Sequence, residues 1–170
     1  MKLILPSTQY QQSYMQAVEE AKDETGDIVL AKPEDGQLFA EFVSSKIEEA
    51  QGLHLPEGWV PATELWLIDN DAFIGRVSIR HSLTEHLLQL GGHIGYYIRP
   101  SKRNQGYGKA ILKLALPEAK KLGIIKVLVT VDDTNLSSQK IIEANGGVLE
   151  NIVDNGKDHP KKRRYWITVA

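Results

Sequence analysis

Two apolar patterns alternate along this chain. Spacing of three and four residues marks helices, and continuous or every-second-residue runs mark strands. Leu3 to Leu5 predicts a short first strand. Pro6-Ser7-Thr8 then caps a helix over residues 9–23, with Tyr14, Val18 and Ala21 on one face and a break at Thr25-Gly26. Pro33-Glu34-Asp35 opens a second helix, whose apolar face carries Leu38, Phe39, Phe42, Val43 and Ile47. Residues 52–61 form an irregular loop with apolar anchors such as Leu53 and Trp59. Thr63 to Ile68 is a strand and Asp69-Asn70-Asp71 a turn. Residues 73–80 are the returning strand, where Arg76, Ser78 and Arg80 alternate with Val77 and Ile79. Residues 83–90 make a short helix or a loop, and Gly91-Gly92 leads into a strand over 93–98, where Gly95 is expected to mark a bulge.

The second half has a regular order. A helix over 106–122 stops at Leu122-Gly123, and the β-branched run 126–131 reads as a buried strand. A further helix over 136–144 stops at Asn145-Gly146-Gly147. Residues 148–153 and 165–169 close the chain as an antiparallel pair, joined by the polar loop 154–164. The helix at 106–122 supplies the crossover that parallel neighbours require. The sheet is therefore mixed: antiparallel hairpins, with one parallel pair around that helix.

Composition adds bounds. The chain has 170 residues, 42% apolar, which suits one domain, 1–170, with a proper core. A net charge of −2 gives no general attraction to nucleic acid or to an anionic membrane. The basic run Lys161-Lys162-Arg163-Arg164 reads as a solvated loop before the last strand. With no cysteine, disulfides, a thiol nucleophile and thiolate metal sites are excluded. His81 and His86 are five apart, which is not the spacing of a zinc pair, so no metal is expected. The apolar run at the N-terminus is too short for a signal peptide, and a cytoplasmic location is the expectation.

The chemistry concentrates at Arg103-Asn104-Gln105-Gly106-Tyr107-Gly108, between a strand and the first turn of a helix. Such a turn presents unpaired N–H groups at the positive end of the helix dipole, a site for a phosphate or pyrophosphate. Ala110 stands where a nucleotide-hydrolysing loop needs Ser or Thr, and Ile111 where the dinucleotide fingerprint needs a third glycine. Arg-x-x-Gly-x-Gly remains. Further on, Asn135-Leu136-Ser137-Ser138 opens the next helix, and Asn135 is also a good N-cap.

These two motifs, in the order strand, loop, helix, strand, helix, resemble the CoA-binding half of the GNAT N-acetyltransferase superfamily, over roughly residues 60–170. Gly-His-Ile-Gly-Tyr before the loop and Arg-Tyr-Trp-Ile at the end are similar to a little-characterised bacterial branch of it. The resemblance implies an α/β (α+β) fold: a mixed, mostly antiparallel twisted sheet flanked by helices, whose splayed parallel strand pair binds acyl-CoA. It implies acetyl-CoA as co-substrate, held by Ile98, Arg103, Asn104, Gln105, Gly106, Tyr107, Gly108, Lys109 and Ala110. Asn135 and Ser138 would meet the pantetheine arm. The acceptor is expected to be a small-molecule, peptide or protein amine, with neither nucleic acid nor membrane as partner and a homodimer left open. A CoA-binding sensor module without turnover is the alternative.

Acyl transfer to an amine needs alignment, a route for the amine proton, a donor for the developing oxyanion and a proton for the thiolate. Many members of the family place a tyrosine four residues after the Asn-x-x-Ala/Ser motif, but here that position is Ile142. Tyr96, Tyr97 and Tyr165 are the substitutes. His93 ranks first as base, because it precedes the central strand and titrates in the useful range, with Glu64 and Glu85 behind it. Glu41, Glu48, Glu57 and Glu64 are the carboxylates that would attract a cationic acceptor.

Overall fold

The structure is a computed structural model, and it describes residues 1–25 and 29–169. The expected break at Gly26 lies outside the described residues. The strands form two antiparallel sheets. The first runs in the order β1 (Lys2–Ile4), β2 (Ala62–Asp69), β3 (Ala72–Arg80), β4 (Ile94–Ile98). The second holds β5 (Lys126–Asp132), β6 (Val148–Val153) and β7 (Lys162–Thr168), with β7 in the middle.

The β2–β3 turn is made by Asn70 and Asp71, both with left-handed φ (47° and 56°). A two-residue hairpin requires that conformation, and Asn and Asp tolerate it best among non-glycine residues. Alternation along β2 and β3 then splits the apolar residues between two cores. Leu65, Leu67, Val77 and Ile79 face an aliphatic core built with α3 (Tyr107–Lys121) and α4 (Leu136–Glu143). Trp66, Ile68 and Phe73 face an aromatic core built with α1 (Gln11–Glu20) and α2 (Phe39–Ala50). There Tyr14 is wholly buried, stacks on Trp66 at 4.6 Å between ring centroids, and donates its hydroxyl hydrogen to Ala31 O at 2.8 Å. A buried aromatic contributes both area and ring contacts, and the hydroxyl is satisfied.

Three expectations change. The second helix starts at Phe39 rather than at Pro33, with Leu38 as cap and the Glu41 carboxylate accepting the Leu38 N–H at 3.1 Å. The basic run is not a loop: β7 begins at Lys162, and Arg164, 6% exposed, is held by Leu88 O, Asn151 and Glu150. Gly95 makes no bulge, because β4 stays in register on β3 with Gly95 opposite Ser78.

The expected parallel pair forms no ladder among the described residues: β4 and β5 are the facing strands of two separate sheets. They touch at a pinch, where Gly92 bridges Val129 and the His93 N–H donates to Leu128 O at 2.7 Å. Gly92 has φ +69°, and a Cβ there would lie 2.7 Å from Leu128 O, so the pinch requires glycine. Beyond it the strands diverge. No helix among the described residues is long and apolar enough to cross a membrane.

Candidate active site

The divergence opens a cleft of about 570 Å³ between β4 and β5. Its β4 wall follows from the ladder. Arg80 N–H donates to His93 O at 2.8 Å and Arg99 N–H to Ile74 O at 3.0 Å. Alternation between these anchors turns the N–H and C=O groups of Ile94, Tyr96 and Ile98 away from β3, toward the gap. Ile98 O accepts a bond from Arg103 Nε at 3.0 Å. The rest of that edge is available to a ligand with amides of its own.

At the far end lies the glycine loop. Asn104 (φ +59°) and Gly106 (φ +86°) reverse the chain in left-handed conformations, and α3 starts at once. The first helical bond runs from Ala110 N–H to Gly106 O at 3.1 Å. The N–H groups of Tyr107, Gly108 and Lys109 come before it and have no backbone partner among the described residues, as at any helix start. The side chains of this loop turn elsewhere. Gln105 donates to Ser101 O at 3.0 Å, and the Tyr107 hydroxyl to Asp69 at 2.9 Å. Arg103 forks onto Glu24 at 2.5 and 3.0 Å and lies over the Tyr97 ring. So the loop offers backbone, and the arginine of its motif braces it from outside.

On the opposite wall, Asn135 Oδ1 accepts the Ser138 N–H at 3.0 Å and caps α4. Its amide nitrogen lies beside the cleft and has no partner among the described residues. The Ser138 hydroxyl lies 2.6 Å from the Tyr96 hydroxyl, reaching over from β4. Burial pushes the Tyr96 pKa up to about 12, so the phenol keeps its proton at neutral pH. Ile142 is wholly buried in the aliphatic core and offers no hydroxyl. Tyr165 is spent on Glu143 at 3.1 Å, also in that core.

The expected proton-transfer groups are placed differently. His93 is not on the cleft wall. Its Nδ1 accepts the Leu128 N–H at 2.9 Å, so the neutral ring carries its proton on Nε2. Burial, then the Arg80 charge, hold its pKa below the ordinary histidine value. The lone pair a base would use is bonded at the pinch. Tyr97 does line the cleft, but its hydroxyl donates to Glu24 at 2.6 Å. Burial, then Glu24, push its pKa up, while Arg103 holds Glu24 below the usual carboxylate range. Glu64 is 7% exposed, accepts the Trp66 indole N–H at 2.9 Å and lies 3.8 Å from Arg76. Glu85 is on the surface, away from the cleft. Among the described residues no three His, Cys, Asp or Glu gather as a metal site.

Glu24, Thr25 and Val29, which follow α1 in the chain, also line the cleft. Nothing in the sequence marks them. Glu24 lies 79 residues from Arg103, and only the tertiary fold joins them.

Two sheets pinched at one end and parted at the other, with a bare helix start at the mouth, make the architecture of a GNAT acyltransferase. Residues 14–148 match the acetyltransferase (GNAT) domain, and the chain belongs to that family. Solved structures agree on the fold. The microcin C7 self-immunity acetyltransferase, in complex with acetyl-CoA and AMP, is 14% identical with a TM-score of 0.69, over 98% of this chain and 91% of that one. The Salmonella typhimurium acetyltransferase that modifies the N-terminal serine of ribosomal protein L7/L12 is 15% identical with a TM-score of 0.68, over 99% and 94%. A spermidine N-acetyltransferase variant from Vibrio cholerae is 14% identical with a TM-score of 0.65, over 99% and 95%. No curated protein matches the sequence.

Proposed function

We propose that the protein transfers an acetyl group from acetyl-CoA to a primary amine, in the cleft between β4 and β5. The observation that carries this is the set of unpartnered N–H groups of Tyr107, Gly108 and Lys109, at the end of a cleft walled by the free edge of β4. A pyrophosphate fits the first, because three N–H groups and the helix dipole favour an anion there. A pantetheine fits the second, because its amides can pair with the N–H and C=O groups that the splay leaves open. A Cβ at Gly106 would meet nothing within 4 Å, so the approach to the loop is open. Bound there, the thioester supplies an activated acyl carbon and a good leaving group.

The chain's own part is alignment and proton handling. The amine nitrogen bonds to the acyl carbon, and the carbon–sulfur bond breaks. The amine's proton passes to water in the open cleft. N–H groups of the β4 edge at Tyr96 and Ile98 face the developing oxyanion. The Tyr96 hydroxyl, steadied by Ser138, gives its proton to the departing thiolate and regains one from the water that took the amine's proton. Asn135 keeps its amide hydrogens for the pantetheine arm while its oxygen caps α4. Ribosomal-protein and spermidine acetylation by the structural neighbours make peptide and small amines the acceptors to screen first, and a cytoplasmic setting suits that chemistry.

The test has two parts. Acetyl-CoA at millimolar concentration should raise the melting temperature, and thiol release should appear with at least one amine of a panel. Absence of the melting shift would sink the CoA assignment. A shift without release from any amine would leave a binding module.

A further inference from the structure

β3 carries opposite chemistry on its two faces. Val77 and Ile79 are wholly buried in the aliphatic core, while Arg76, Ser78 and Arg80 point the other way. The register fixes what surrounds them. Trp66, Glu64 and Ala62 of β2 pair with Arg76, Ser78 and Arg80 in turn. On the β4 side, Tyr97 and Gly95 pair with Arg76 and Ser78, and the Arg80 N–H donates to His93 O. The middle row is therefore Glu64, Ser78, Gly95. Two of its three members are small, so no long side chain of this row other than Glu64 stands between the two arginines. Gly95 is also part of the cleft wall, so this row adjoins the place where the acyl group would be held.

The charges do not balance. Glu64 is the one carboxylate in the row, and it already accepts the Trp66 indole N–H while lying 3.8 Å from Arg76 Nη1. Arg76 Nη2 donates to Val29 O at 3.2 Å, and its buried Nε has no partner among the described residues. Arg80 is held only by neutral groups, the carbonyls of Gly91 and Gly92 at 3.2 and 2.9 Å, and pairs with no carboxylate among the described residues. Arg80 feels Arg76, whose charge adds to burial in lowering its pKa. His93, opposite Arg80, has its Nδ1 bonded to Leu128, and His81 sits on Thr63 at 2.8 Å, so neither supplies negative charge. Guanidinium groups with spare donors in a half-buried site match a carboxylate in a forked geometry.

We propose that Arg76 and Arg80 bind the carboxylate of the acceptor, so that the acceptor is an amino acid or another amine with a carboxylate a few bonds from its nitrogen. The assignment rests on amine acylation in the adjoining cleft. It runs against a polyamine acceptor, which would bring cations to a face that already holds a surplus of positive charge.

The experiment compares matched acceptors in a thiol-release assay with saturating acetyl-CoA. The panel is L-alanine, β-alanine and 4-aminobutyrate, each against the alkylamine and the amide of equal length, with O-phosphoethanolamine and spermidine as further arms. At least tenfold higher kcat/KM is expected for a carboxylate member over its neutral partners. Arg76→Gln and Arg80→Gln should each raise KM for it tenfold or more, while the melting shift with acetyl-CoA stays that of wild type. Arg76→Lys and Arg80→Lys, which keep the charge and lose the fork, should fall in between; they also serve if the glutamine variants fold poorly. Preference for spermidine or the alkylamines overturns the proposal, and preference for O-phosphoethanolamine replaces carboxylate by phosphate and overturns it as stated. Calorimetric titration of the same panel into the CoA-saturated protein separates the two levels. Carboxylate binding that the arginine variants lose, without thiol release, keeps this site and removes acyl transfer. Neither binding nor release with any carboxylate member removes the site.

Discussion

The two walls around the splayed strands work by different means. On the β4–α3 side, residues 94–110 form one continuous stretch, and what it offers a cofactor is chiefly backbone, strand-edge amides and three helix-start N–H groups, with the Tyr96 hydroxyl beside them. On the acceptor side the chemistry is side chains held in pairs: Glu20 with Arg99 and Glu24 with Arg103 and Tyr97 across distant segments, and Glu64 near Arg76 across the β2–β3 hairpin. The first wall should tolerate loss of a side-chain charge and resist a changed backbone or an added negative charge. The second should do the reverse. The Glu24–Arg103 fork ties the two together, because Arg103 belongs to the loop and Glu24 to the chain after α1.

The largest expected effect tests the backbone wall. Gly106→Asp should abolish the melting shift with acetyl-CoA, a loss of at least a hundredfold in affinity. Gly106 has φ +86° with open space around a Cβ, and Asp adopts that conformation about as readily as Asn, so the damage comes from negative charge beside the pyrophosphate. Gly106→Asn, which tolerates that conformation, should keep most of the shift. Lys109→Ala should cost little, since an exposed charge is screened. If Lys109→Ala hurts as much as Gly106→Asp, the backbone is not the binding element.

The next effect concerns chemistry in place of affinity. Tyr96→Phe should lower kcat about 10- to 100-fold, toward the low end of acid–base assistance because a thiolate leaves readily. Its affinity for acetyl-CoA should stay within about threefold, since the removed hydroxyl contributes one bond, to Ser138. An unchanged kcat would make Tyr96 a packing residue and leave the thiolate to solvent.

This contrast also explains what could be foreseen. The glycine loop, the strand before it and the Asn135 cap depend on neighbours within a few residues, so local patterns carry them. The acceptor wall depends on contacts spanning 47 to 79 residues, such as Arg76 with Val29 and Arg103 with Glu24. No local pattern encodes those. His93 shows the cost: its position before β4 suits a base, but whether Nδ1 points at a substrate or at Leu128 is decided by a strand 35 residues on. The basic run misled for the same reason. Arg164 is buried because Leu88 O, Asn151 and Glu150 surround it, and none of these is a near neighbour in the chain. Ser78 and Gly95 face each other only once the β3–β4 register is set.

A smaller effect divides the two roles of Asn135. Asn135→Ala should destabilise the protein by about 1 kcal/mol through loss of the α4 cap, and weaken acetyl-CoA by about a further 1 kcal/mol through the lost amide. Asn135→Ser should restore most of the stability and none of the affinity. Denaturant unfolding and CoA titration read the two separately. Equal recovery of both would mean that the cap alone matters.

The smallest effect is a pH slope at the pinch. His93 accepts the Leu128 N–H through Nδ1 only while that nitrogen is unprotonated, and its pKa in the folded state is lowered by burial and by Arg80. The unfolded chain, with an ordinary histidine pKa near about 6.5, therefore binds the proton first as pH falls. Stability from this group is complete above that pH and declines as the pH drops through it toward the lower folded value. His81, also lowered by burial, adds to the same slope. His93→Asn keeps a short acceptor for Leu128 without a titrating group. Its unfolding free energy should be close to that of wild type at pH 7.5 and should decline less between pH 7 and 5. The variant should also keep its rate with a working amine, because the pinch stays closed. A steep loss of kcat/KM with unchanged stability would return His93 to the proton-transfer role and move the base from water to the pinch.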